Sequence, residues 1–81
     1  ASLCIMGALS NIDIADFRRF LKHLGWEYGG IKGGHEKWCK KGMLRPVIFQ
    51  THINPIPIGI IKNNLRTMGC PAQVLIDYMN K

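Results

Sequence analysis

Negative charge is scarce in this 81-residue chain. Five Asp and Glu stand against eleven Lys and Arg, with three His besides, giving a formal net charge of +6. That carboxylates are this few and none of them paired argues against a two-metal nuclease centre. Cysteine is also sparse. Cys4, Cys39 and Cys70 are an odd set, widely spaced and without a CxxC, which argues against a disulfide framework and for reduced thiols in a cytoplasm. A zinc site from His35, Cys39, His52 and Cys70 lacks the required ligand spacing. The chain has no Walker sequence and no GxGxxG, so no nucleotide-cofactor fingerprint is present. No apolar run reaches membrane length, and residues 1–9, though mildly apolar, lack the basic leader of a signal peptide. The expectation is a cytoplasmic protein with no membrane partner, no metal and no cofactor.

What remains is a globular composition, 47% hydrophobic and 20% charged, in a length that allows a single domain with a thin core. The positive balance, with a pI of about 9.6, suits a polyanionic or acidic partner: nucleic acid, an acidic protein or a membrane surface. A merely solvated basic surface would have the same balance.

Residues 1–12 show no clear period and read as a tail, a short leading helix or a segment packed against the body. The domain proper is expected over 13–81. Ile14, Phe17, Phe20, Leu21 and Leu24 recur at helical spacing. Asp13 is placed to cap this helix, with Asp16 in the Glu position of a capping box, and Gly25 suits a left-handed C-terminal cap. Residues 26–28 open a strand that Gly29 and Gly30 weaken and can bulge. Gly33 and Gly34 make a turn, 35–40 return as a second strand, and 46–51 form a third, which together imply an antiparallel meander. Pro55 and Pro57 make a rigid connection. Ile58, Ile61, Leu65 and Met68 then repeat at helical spacing up to Gly69. Pro71 suits the first turn of a last helix striped by Ala72, Leu75, Ile76 and Met79. The predicted class is α+β: helix, three antiparallel strands, helix, and an extra C-terminal helix on one face of the sheet.

The chemistry-bearing residues cluster at the first turn. His35 follows the Gly33–Gly34 pair, and Lys32, Lys37, Lys40, Lys41 and Arg45 surround it, opposed only by Glu36. His35 and Lys37 should share one strand face, with Trp38 pointing into the core. Cys39, four residues from His35, would lie roughly 13 Å along an extended strand, too far for a Cys–His pair; it reads as a small, partly buried residue. His23 lies beside the apolar face of the first helix and reads as structural or exposed. His52 ends the third strand, where it can approach the hairpin that carries His35. Lysines at a hairpin also discourage edge-to-edge sheet pairing, so charge alone does not separate nucleic-acid binding from a solubilised edge.

Four landmarks in order, over residues 13–69, resemble the HicA family of small ribonuclease toxins from bacterial toxin–antitoxin systems. They are a helix ending Leu24-Gly25-Trp26, a turn Gly33-Gly34-His35, a strand ending at His52, and a segment from Gly59-Ile60-Ile61 to Gly69. The resemblance implies a double-stranded-RNA-binding-domain-like fold, His35 as the catalytic histidine, and a HicB-type antitoxin as protein partner. Two departures stand out: Gly34 replaces the usual Ser, and Ile60 replaces the usual Thr. On this reading the chain is a metal-independent endoribonuclease that acts on mRNA using a single histidine. Lys32, Lys37 and Lys40 would hold phosphates, Gly33, Gly34 and His52 would complete the RNA site, and His35 would transfer protons. The alternatives are a non-catalytic RNA-binding module of the same fold and a protein-interaction domain whose basic face meets an acidic partner. The oligomeric state is not legible.

Overall fold

The computed structural model of this protein describes residues 12–80. The leading segment, for which the sequence leaves a tail, a short helix and a packed segment open, therefore lies, except for Ile12, outside the described residues. Ile12 is itself fully buried, and its carbonyl accepts the Ile56 N–H at 2.9 Å, so the folded body includes it.

Helix α1 spans Ile14–His23, with Ile14, Phe17, Phe20 and Leu21 buried along one stripe. Its C-terminus is closed by a Schellman pair. The Gly25 N–H reaches the Lys22 carbonyl and the Trp26 N–H the Leu21 carbonyl, with Gly25 at φ +92°. The expected N-terminal capping box does not form. Asp13 has the extended cap conformation, but its side chain makes no cap bond. The orphan Ile14 N–H instead donates to Asn54 Oδ1 at 3.0 Å, and Asp16 pairs with Arg19. A cap delivered from forty residues away replaces the one expected from the local sequence.

Three strands follow: β1 Glu27–Lys32, β2 His35–Cys39 and β3 Val47–Gln50. They form an antiparallel meander in the order β1-β2-β3. The register of β1 against β2 slips between Tyr28 and Gly30, the bulge that the glycine pair foreshadowed. The two-residue turn Gly33–Gly34 has φ +58° and +80°, as a type I′ hairpin requires at both positions. Helices α2, Ile58–Met68, and α3, Ala72–Met79, complete the chain. Pro71 stands one residue before α3, as its N-cap, rather than inside its first turn.

Alternation along β2 and β3 decides which face is buried. Glu36, Trp38, Val47 and Phe49 point inward; His35, Lys37, Cys39 and Ile48 point out. The inner side chains meet the helices: Phe17 stands edge-on to Phe49, with ring centroids 5.5 Å apart, and Phe20 packs on Tyr78 of α3 at 5.4 Å. The helices thus lie on one face of the sheet, and the other face is open. This is the α+β, double-stranded-RNA-binding-domain-like arrangement expected from the sequence.

The two sheet edges are treated differently. Asn64 of α2 accepts the Ile48 N–H through Oδ1 at 3.4 Å and donates from Nδ2 to the Ile48 carbonyl at 3.0 Å. A side-chain amide therefore satisfies the outer edge of β3. The opposite edge, β1, is exposed along most of its length.

Candidate nucleic-acid interface

The open face is built by cross-strand rows. Lys32 of β1 pairs with His35 of β2, which pairs with Gln50 of β3. The next row runs Gly30, Lys37, Ile48. Paired residues point to the same side, so His35 stands between Lys32 and Gln50, with Lys37 one row along. The Gln50 Nε2 lies 3.5 Å from His35 Nε2. Because Gly29 and Gly30 carry no side chains, β1 leaves a hollow of about 260 Å³ beside Lys32, His35 and Lys37.

The turn that presents His35 is tied down from β3. The Gly34 carbonyl accepts both the Thr51 N–H at 2.9 Å and the Thr51 hydroxyl at 3.1 Å. This clamp brings the His52 ring against the turn, where a Cβ on Gly34 would come within 3.4 Å of His52 Nδ1. At φ +80° a serine would be strained, which accounts physically for glycine at this position. His52 lies two residues past the end of β3 rather than in the strand.

Electrostatically the open face is uncompensated. The two ion pairs among the described residues are Arg18–Glu36 and Arg19–Asp16, and neither lies there. The single acid in the register on that side is Glu27, opposite Cys39 at the far end of the hairpin. Lys32, His35 and Lys37 thus present positive or protonatable groups with no carboxylate among them.

Of the expected set, Lys32, Gly33, Gly34, His35, Lys37 and His52 gather at the turn end of the hairpin. Lys40 does not. It follows the last residue of β2, roughly 16 Å along the strand from His35, and its Nζ donates to the Leu24 carbonyl at 2.8 Å. There it answers the unsatisfied carbonyls at the C-terminus of α1. Cys39, expected to be partly buried, is exposed on the open face, because odd-numbered residues of β2 all point outward. His23 is exposed and lies against Tyr78, ring centroids 4.9 Å apart.

Glu36 escaped the reading of the sequence. Expected as the lone counter-charge of a lysine hairpin, it is fully buried on the inner face. Its carboxylate accepts Trp38 Nε1–H at 2.6 Å, Arg18 Nε–H at 3.0–3.1 Å and Arg18 Nη2–H at 2.5 Å. The Arg18 guanidinium is pushed above its ordinary pKa, chiefly by its hydrogen bond to Glu36, against an opposing effect of burial. The parity that sends Trp38 inward sends Glu36 inward too, so the burial was legible; the distant Arg18 partner was not.

No described helix is long and apolar enough to cross a membrane. Among the described residues, no three His, Cys, Asp or Glu side chains gather as a metal would require. No family model, no curated protein and no solved structure matches this chain.

Proposed function

We propose that this domain is an RNA-binding module that seats an RNA backbone on the open face of its sheet. One observation carries the reading: Lys32, His35 and Lys37 converge beside a glycine-floored hollow with no opposing carboxylate. A phosphate is attracted there by charge and can approach closely because β1 carries no side chains at Gly29 and Gly30. The double-stranded-RNA-binding-domain-like architecture supports RNA as the polyanion. Retention of labelled RNA that falls steeply with added salt is the expected result. An acidic protein captured in place of RNA would favour an interaction domain instead.

A second reading, HicA-type ribonuclease activity using a single histidine, is favoured by the placement of His35 at the head of β2 between Lys32 and Gln50, with Lys37 one row along. In it, the His35 imidazole takes the proton from a ribose 2′-OH as that oxygen attacks the adjacent phosphorus. The P–O5′ bond breaks, leaving a 2′,3′-cyclic phosphate, and the imidazolium so formed returns its proton to the departing 5′-oxygen. Lys32 and Lys37 would offset the charge that develops on phosphorus. DNA, without the 2′-OH, would survive. A HicB-type antitoxin, acidic where it meets the hairpin, would silence the site by covering His35. Incubation of wild type and His35→Ala with RNA and a chelator separates the readings. Cleavage lost in the variant supports the ribonuclease; binding without cleavage by either protein supports the module alone.

A further inference from the structure

Beyond the open face, the structure holds a second concave site on the opposite side of β1. Arg18, Lys22, Tyr28, Glu36 and Trp38 line a groove of about 450 Å³ between α1 and the sheet, within the size range of small-ligand sites. Its floor is fixed. The buried Glu36 carboxylate holds both Trp38 Nε1–H and the Nε and Nη2 of Arg18. Among the described residues Arg18 Nη1 has no partner, and the side chain remains 41% exposed. One edge of the guanidinium is therefore anchored and the other is offered to solvent in a set orientation. Lys22 lies one helical turn further on the same side of α1. Tyr28 stands edge-on to Trp38, ring centroids 5.6 Å apart at 79°, and is 55% exposed.

We propose that this groove binds a single nucleotide, with the phosphate against Arg18 and Lys22 and the base stacked on Tyr28. The ligand class rests on the RNA-binding reading, but the groove is separate from the face that carries His35. An immobilised cation beside an exposed aromatic ring matches a ligand that is anionic at one end and planar at the other. An RNA strand crossing the β1 edge could then leave one unstacked nucleotide in the groove while its backbone continues over Lys32 and Lys37.

The test is an NMR titration of the full chain with uridine 5′-monophosphate, uridine and inorganic phosphate at constant ionic strength. The nucleotide is expected to move the Trp38 indole N–H and Arg18 Nε–H resonances saturably, and more than either fragment does. Tyr28→Leu should weaken that response roughly tenfold and Lys22→Ala about fivefold. Both side chains are exposed, and both variants leave the Arg18–Glu36–Trp38 network in place. If Tyr28→Leu fails to fold, Lys22→Ala carries the test. Shifts confined to Lys32, His35 and Lys37 overturn the groove and leave the RNA-binding reading standing. Equal responses to phosphate and nucleotide overturn the stacked base. A saturable groove response from a chain that retains no RNA supports the groove and removes the reading of the open face.

Discussion

Removing the Glu36 carboxylate should be among the most damaging single changes on the sheet. Glu36→Ala strips Trp38 Nε1–H of its buried acceptor, which costs about 1–3 kcal/mol. It also deletes one buried methylene, Cγ, at about 0.8 kcal/mol. The Arg18 ion pair adds less. The Arg18 side chain is 41% exposed and can turn into water when its partner goes, so only about 0.5–1 kcal/mol is assigned to it after solvent screening. The sum is about 2–5 kcal/mol, a large share of the roughly 5–15 kcal/mol that stabilises a domain. For a chain of this size it corresponds to a melting temperature lower by roughly 10–40 °C. Glu36→Gln keeps the side-chain volume and one acceptor oxygen and should cost about half as much. Urea unfolding followed by tryptophan fluorescence is suited to the measurement, because Trp26 and Trp38 are both buried. The double variant Arg18→Ala/Glu36→Ala should lose about 0.5–1 kcal/mol less than the two single losses summed. Additive losses, or a Glu36→Ala cost below about 1 kcal/mol, would refute the coupled network.

Three further outcomes follow from particular interactions. Gly34→Ala should cost about 1–2 kcal/mol, because φ +80° is hostile to a Cβ, and should shift the His52 ring resonances; Gly33→Asn, which tolerates a left-handed conformation, should cost much less in the same melts. Asn64→Leu should remove both bonds to Ile48, lower stability by about 1–2 kcal/mol, speed amide exchange at Ile48 and promote self-association through the freed β3 edge. Iodoacetamide at about pH 8 should alkylate exposed Cys39 before Cys70, whose thiol is pushed up by burial and so carries less of the reactive thiolate; peptide mass mapping that finds Cys70 modified first would contradict the burial.

Elements with a strong local period were legible in the sequence. The Phe17–Phe20–Leu21 stripe, the turn glycines and the outward pairing of His35 with Lys37 follow from spacing and parity alone. What escaped depends on long-range partners. Asn54 caps α1 in place of Asp13, and Asn64 plugs the β3 edge, yet nothing beside either asparagine signals its target. Lys40 looked like part of the phosphate site because it is near His35 in sequence, but strand geometry carries it to the other end of the hairpin. Glu36 looked like a surface charge because its neighbours are lysines, although its parity matched Trp38. The candidate site was therefore readable as a cluster, whereas its limits and the buried network behind it required the fold.

The salt dependence of RNA binding tests the central claim most directly. A plot of log K against log salt should be steep for wild type. It should be shallower by about 1.4 for Lys32→Ala/Lys37→Ala, since each phosphate neutralised on a single strand adds about 0.7 to the slope. Lys40→Ala, whose ammonium serves the Leu24 carbonyl, should leave the slope close to wild type. A double variant with the wild-type slope, or a larger change from Lys40→Ala, would contradict an RNA site on the open face beside His35.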